Sequence, residues 1–256
     1  MQGANQAAAA AQLDCDTVMV GQVGGDSGAE FMCEALRAAG VSTHAVATVD
    51  SVATGTAVVL LQPGGENSIV IVGGANTAEW RWPQEARDAV ASADAVLLQR
   101  EVPEATNLAA ARMCVDAGVP VTLDAGGAEG PLSQELCECL HTVSPNETEL
   151  VRLADMATGT RDEVAAAARC LQGQCGGCDV LVKLGAKGCL LLQRGAMSAS
   201  AVTIMRCFSA APATSALVCK RMSVANTSAT VALLSSLRGC ASTTGSWAPV
   251  LQAEKF

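Results

Sequence analysis

Aromatic side chains make up only 2% of the 256 residues; there is no tyrosine, and there are three tryptophans and three phenylalanines. The hydrophobic half of the chain is therefore almost wholly aliphatic. Basic residues are also scarce, 16 against 25 acids, for a formal net charge of −9. That balance excludes nucleic acid as the main partner, because neutralising phosphates takes Lys and Arg. No apolar run reaches the ~18–20 residues of a membrane span. The start lacks the apolar centre and cleavage pattern of a signal peptide. Twelve cysteines in a chain this long fall short of the density of a disulfide scaffold and read as reduced intracellular thiols.

What is present is enough apolar material for one large domain or two small ones. Composition changes along the chain. Residues 196–256 hold Arg206, Lys220, Arg221, Arg238 and Lys255 against a single acid, Glu254, and contain no Asp, whereas the rest is strongly acidic. The division predicts an α/β domain over 1–195 and a Ser/Thr-rich tail over 196–256 that is poorly ordered or irregular. A short helix over 227–237 is the tail's one expected element.

The first part alternates strand-like and helix-like stretches. Apolar, β-branched runs lie at 17–20, 57–61, 69–72, 95–98, 119–123, 180–182 and 189–192, with a short strand ending at Val143. Amphipathic stretches lie at 29–39, 105–117, 132–140, 147–153 and 162–171. Strands apolar on both faces, separated by helices, predict a Rossmann-like, doubly wound, mostly parallel sheet. One pair departs from this order. The runs on either side of Gln62-Pro63-Gly64-Gly65-Glu66-Asn67 predict an antiparallel hairpin within 54–76. At the N-terminus, Met1 to Asn5 reads as a loop feeding a helix over Ala7–Ala11. A chain that opens this way, with no strand before it, reads as truncated.

Several motifs could carry chemistry. Gly21-Gln22-Val23-Gly24-Gly25-Asp26-Ser27-Gly28 lies where a dinucleotide pyrophosphate would sit, but its spacing is not G-x-G-x-x-G. A plain strand-to-helix loop is the better reading. Cys175-Gly176-Gly177-Cys178 has metal or redox spacing, yet its nearest companion, Cys137-x-Cys139, is too tight for a zinc knuckle. A chance pair in a glycine loop is preferred there. Lys183-Leu184-Gly185-Ala186-Lys187-Gly188 joins two strands and suits either a phosphate or a tight hairpin. Gln99, Arg100, Glu101 and Asp124 fall at the C-terminal ends of strands, where open α/β sheets bind ligands. In Ser144-Pro145-Asn146-Glu147-Thr148-Glu149, Ser144 and Glu147 have the spacing of a capping box, beside an amide and two carboxylates that could bind.

Together these motifs are more specific than any one of them. Gly3-Ala4-Asn5-Gln6-Ala7, Val20 to Gly24, Thr54 to Val58, Gly65 to Ile69, Gly73 to Asn76, Leu98-Gln99-Arg100-Glu101, Leu123 to Gly127, Ser144 to Glu149 and Lys183 to Gly188 occur in the order of the ribokinase branch of the sugar kinases. Over about residues 2–195 the chain resembles that family, and reads most like its plant-type members.

The resemblance implies transfer of the γ-phosphate of ATP to the 5-hydroxyl of D-ribose, with magnesium and an activating monovalent cation, potassium. It implies a β lid that closes on the sugar and a homodimer formed through the lid hairpin. By motif, Gly3, Asn5 and Glu101 would bind sugar. Asn146 would sit near the ATP phosphates, Lys183, Gly185, Ala186, Lys187 and Gly188 would line the nucleotide, and Glu149 would hold magnesium through water. The implied compartment is the cytoplasm, or a plastid if a transit peptide precedes this start. Three departures stand out. Met1-Gln2 replaces the Gly-Lys before Gly3, the opening strand is missing, and the Asp-Thr-x-Gly-Ala-Gly-Asp signature is absent, Ser242-Thr243-Thr244-Gly245-Ser246 being its only echo. The last Asp of that signature is the family's base, so little or no activity is expected of the chain. A change of reading near Gly195 accounts for the loss better than a divergent domain does. The alternative function is a non-catalytic sugar- or nucleotide-binding member that pairs with an intact kinase.

Overall fold

A computed structural model describes residues 2–61 and 67–195, and the backbone of three short strands at 202–205, 217–219 and 222–224. Residues 62–66, the helix expected at 227–237, the Ser242–Ser246 echo and Glu254 lie outside the described residues.

The chain begins in helix α1, Gln2–Ala11. Gly3, Ala4 and Asn5 are therefore helical, where the sequence suggested a loop. Helical continuity puts Ala7 and Ala10 on one buried face together with Gln6, and Ala7 packs with Leu36 and Val41. Strand β1 is Gly21–Gly24, later than the expected 17–20, of which Val18 makes only an isolated bridge to Ser42. The glycines mislead a reading by propensity. A Cβ on Gly24 would stand 2.6 Å from the Thr54 amide nitrogen, so close packing selects glycine inside a strand. Helix α2, Ser27–Ala38, leads to β2, Val46–Val49, which pairs in parallel with β1.

Strands β3, Thr56–Leu61, and β4, Asn67–Val72, form the expected antiparallel hairpin. Leu61 and Ile71 are 75% and 71% exposed, and Val58, Val59, Leu60, Ile69, Val70 and Val72 are exposed with them. Alternate residues of a strand face opposite ways, so both faces of this ribbon are bare and apolar. Helix α3, Gln84–Ala91, was not legible, since only Ala86 and Val90 of its eight residues are buried.

The main sheet follows. Strands β5, Val96–Arg100, and β6, Val121–Gly127, flank helix α4, Glu104–Ala117. After α5, Gln134–Cys139, come β7, Thr142–Ser144, then α6, Glu147–Ala154, and α7, Arg161–Gln174. Strand β8, Asp179–Lys183, completes a parallel set in chain order, β5-β6-β7-β8. Strands β9, Cys189–Leu192, and β10, Val202–Met205, add to it antiparallel. The sheet thus continues past residue 195, where composition changes. The short pair β11, Leu217–Cys219, and β12, Met222–Val224, forms a separate ribbon. The fold is mixed α/β with a mainly parallel sheet.

Right-handed crossovers lay α4, α5 and the α6–α7 pair on one face of the parallel strands. Leu123, Val143, Val180, Val182, Leu190 and Leu192 from the sheet meet Leu136, Leu150 and Leu171 from the helices, all at most 1% exposed. Each such side chain contributes about 1.5–3 kcal/mol by burial, and the core fixes the strand ends that carry polar groups.

Candidate functional site

All four parallel strands point their C-terminal ends at one edge. Glu101 follows β5, Asp124 lies in β6, Asn146 follows β7 and Lys183 ends β8. Ligands of open α/β sheets bind at this edge, because neighbouring loops diverge there and backbone groups are unspent.

One half of the edge is built with α1. The Gln2 amide donates to Glu101 Oε2 at 2.7 Å, which brings the helix start and the end of β5 together. Gly3 packs against the Gln99 side chain. Gln99 Nε2 donates to Gln6 Oε1 at 2.7 Å, and Gln6 Nε2 reaches Asp124 Oδ2 at 3.5 Å. Gly3 and Glu101 are thus brought together, and Asn5 is exposed on the same helix. Arg100 points elsewhere, to the Pro131 carbonyl, and burial lowers its pKa from the ordinary arginine value.

The other half is the start of α6. Asn146 is its N-cap, and its Oδ1 accepts from the Glu149 amide at 2.7 Å. Glu149 returns the contact, its Oε2 accepting from the Asn146 amide at 2.8 Å and its Oε1 from Asn146 Nδ2 at 2.9 Å. The capping box is therefore Asn146 with Glu149. Ser144, the expected cap, lies in β7 with its hydroxyl buried, because the strand runs one residue further than a cap at that position allows. This box gives Asn146 and Glu149 a structural reason to be where they are.

Lys183 joins the halves. Its Nζ lies 2.9 Å from both oxygens of Asp124 and 3.8 Å from Glu149 Oε2. Asp124 is 2% exposed, so this ion pair is nearly desolvated. The lysine expected to line a nucleotide is thus turned toward a carboxylate. The following turn, Gly185–Lys187, is a 3-10 turn between β8 and β9, with Gly185 and Gly188 at φ +54° and +95°. Only glycine adopts such angles freely. Gly185, Ala186 and Lys187 are exposed at the same edge as Asn146, which bridges to Lys183, and Lys187 pairs with Glu147 at 3.1 Å.

Sequence reasoning missed two features. Gln6 was not singled out, and its link to Asp124 spans 118 residues, beyond any local pattern. Asp26 caps α2, and its carboxylate also accepts the Thr54 amide at 2.8 Å and the Thr54 hydroxyl at 2.6 Å, tying the helix to the base of the hairpin. Those bonds, from the Thr54 hydroxyl first, lower the Asp26 pKa below the usual aspartate value. An Asp directly before a helical stretch was the available signal.

Comparison with known proteins extends the picture. Residues 2–210 match the family described as pfkB family carbohydrate kinase. A ribokinase of Arabidopsis thaliana is 44% identical over 198 residues, which cover 75% of this chain and 52% of that protein. A deoxyribokinase of Salmonella typhimurium is 34% identical over 196 residues, 75% of this chain and 63% of the other. The chain spans about half to two thirds of the length of these relatives. Among solved structures, Arabidopsis thaliana ribokinase complexed with ribose and ATP superposes with a TM-score of 0.75 at 41% identity, covering 82% of this chain and 67% of that one.

Proposed function

The chain belongs to the pfkB family of carbohydrate kinases, and from that premise we propose that it binds ATP and a small sugar, D-ribose foremost, and serves transfer of the γ-phosphate to a sugar hydroxyl, giving ribose 5-phosphate. The observation that carries this reading is the joining of two half-sites along one strand edge. Gly3, Gln6, Gln99 and Glu101 gather on one side, Asn146, Glu149 and the Gly185–Gly188 turn on the other, with Asp124–Lys183 between. Such an arrangement supports phosphoryl transfer, since catalysis there is mostly positioning and charge neutralisation.

In this reading Gly3, Asn5 and Glu101 hold the sugar, the Glu101 carboxylate accepting from its hydroxyls. Asn146 faces the phosphates, and Lys183, Gly185, Ala186, Lys187 and Gly188 border the nucleotide, with the turn's backbone donors and Lys187 offsetting negative charge. Magnesium suits the hard oxygen of Glu149, and a water-mediated contact leaves the two bonds from Asn146 intact. That ion would supply charge neutralisation on the phosphates. Potassium accompanies the reading without an assigned residue. The bare hairpin β3–β4 serves as lid and as the contact of a homodimer, because an isolated two-stranded ribbon is marginal in water. Residues 1–195 form the binding body, residues 196–256 are a divergent segment, and the compartment proposed is the cytoplasm. None of the described helices is long and apolar enough to cross a membrane.

A second reading rests on sequence. The Asp-Thr-x-Gly-Ala-Gly-Asp signature, whose last Asp the resemblance makes the base on the sugar hydroxyl, does not occur in the 256 residues, and in this reading the base's contribution of roughly a hundred- to ten-thousand-fold is lost. The chain would then bind sugar or nucleotide and pair with an intact kinase. Two measurements test both. ATP with magnesium, but not NAD, should raise Tm, and no shift with ATP refutes nucleotide binding. A coupled assay of ADP release on D-ribose and 2-deoxyribose, with magnesium and potassium, then decides catalysis, turnover near ~10 per second refuting the second reading.

A further inference from the structure

Cys137 and Cys175 are 38 residues apart in sequence, yet their Sγ atoms lie 2.7 Å from one another. Cys137 sits in the last turn of α5, and Cys175 is the C-cap of α7. Both side chains are buried, at 4% and 1% exposure. The Cys178 amide donates to the Cys175 carbonyl at 3.1 Å. The neighbouring thiols are engaged elsewhere, Cys139 with the Glu135 carbonyl and Cys170 with the Ala154 carbonyl. The loop that read as a chance Cys-Gly-Gly-Cys pair is thus half of a contact whose other half lies on another helix.

We propose that Cys137 and Cys175 are a thiol-oxidation site, forming a reversible disulfide that clips α5 to the end of α7. A disulfide has its sulfurs ~2.0 Å apart, so closure takes about 0.7 Å, within reach of small side-chain rotations. One molecule of hydrogen peroxide suffices as oxidant. One sulfur is oxidised to a sulfenic acid with release of water, and the other thiol displaces the hydroxyl as a second water. Two electrons pass from the sulfurs to the peroxide, and a dithiol reductant reverses the change. The turn Gly176–Gly177 directly follows Cys175, its residues at φ +60° and +81° with open space where a side chain would stand. The contact with Cys175, and burial after it, hold the Cys137 thiol protonated, which makes the oxidation slow.

The clip lies at the start of β7 and β8, at the opposite end of both strands from Asn146 and Lys183. It therefore tightens the body without reaching the site, and the inference does not depend on the reading as a kinase.

Peptide mapping of the folded full-length chain tests it. After peroxide treatment and alkylation of remaining thiols, trypsin should release the peptides 113–152 and 170–183 joined, and fragmentation should assign the bond to Cys137 and Cys175. Cys178→Ala should keep the link and Cys137→Ser should abolish it. Oxidation should raise Tm by an amount on the order of 5–10 °C, as expected on closing a loop of this length, and dithiothreitol should reverse the rise. Peptides that stay separate, or a bond that maps to Cys114, Cys139, Cys170 or Cys178, would overturn the proposal, and fragmentation of the unmutated chain decides this even if a variant fails to fold.

Discussion

Replacing Lys183 with methionine tests the electrostatic joint of the candidate site. The substitution keeps the stem and removes the ammonium that lies 2.9 Å from both Asp124 oxygens. Asp124, 2% exposed, would retain the Gly126 amide at 2.9 Å and the long contact from Gln6 at 3.5 Å. Neither carries a charge. Breaking a buried pair from one side costs about 3–5 kcal/mol because the partner is left uncompensated. Asp124→Asn is milder. Lys183 is 13% exposed and has Glu149 at 3.8 Å, so its charge can turn to a second carboxylate and to water, at about 1–2 kcal/mol. The double variant should cost less than the sum of the two, since it leaves no orphaned charge. Urea unfolding measures all three, and at a slope of about 3 kcal/mol/M the Lys183→Met midpoint should fall by about 1 M. A Lys183→Met midpoint unchanged within 0.3 M (roughly 1 kcal/mol on that slope), or strict additivity in the double variant, would refute the reasoning.

Three further outcomes are expected. Asn146→Ala removes the N-cap Oδ1 and the Nδ2 donor while the backbone amide keeps its bond to Glu149, and should cost about 1–2 kcal/mol in thermal unfolding, whereas an unchanged Tm would mean that α6 starts without that side chain. Asp26 is held ionised by Thr54, so its folded pKa lies below the unfolded one. Its tie to the hairpin is therefore complete above the usual aspartate pKa and lost as pH falls through the depressed value. The Thr54 amide shift, followed by NMR, should titrate there, and the step should vanish in Asp26→Asn. Leu61→Lys with Ile71→Lys places charge on residues that are already 75% and 71% exposed. Sedimentation should show self-association weakened at unchanged Tm, and a monomer at all concentrations before mutation would refute the hairpin as a dimer contact.

The sequence carried the features that repeat over a few residues. The hairpin followed from two apolar runs on either side of the sequence Pro63-Gly64-Gly65, and the Gly185–Gly188 turn from two glycines between strands. Glu101 and Asn146 could be placed at strand ends because a buried strand is legible in its own residues. What escaped was decided elsewhere in the chain. Gly21 and Gly24 are poor strand formers, and parallel pairing with Val46 and Val49, with the backbone of Val52–Thr54 packed over Gly24, makes them a strand. Gln2 to Asn5 carry turn-forming residues, yet the contact of the Gln2 amide with Glu101 and the packing of Ala7 on Leu36 hold them in α1. The capping box was displaced by two residues because β7 runs through Ser144, and only a neighbouring strand can show where a strand stops.

The same distinction bears on how the site could work. Asn146 and Glu149 bond each other so completely that stability alone explains their presence. Glu101 and the Gly185–Lys187 turn are different. Glu101 lends one carboxylate bond to a helix start, and the turn, exposed with Gly185 at a left-handed angle, contributes little to the core, so the proposed binding roles of both can be separated from stability. Loss of ligand affinity without loss of stability is therefore the mark of function here. Glu101→Gln keeps an oxygen for the Gln2 amide and loses only the charge at the helix start, about 0.3–1 kcal/mol, so Tm should fall by no more than a few degrees while the sugar-induced shift in Tm weakens. Glu149→Gln should lower Tm and magnesium dependence together. If Glu101→Gln instead destabilised the fold and left the sugar response intact, the carboxylate would be a helix anchor for Gln2, and the sugar half of the site would have to lie with Gln6 and Asp124.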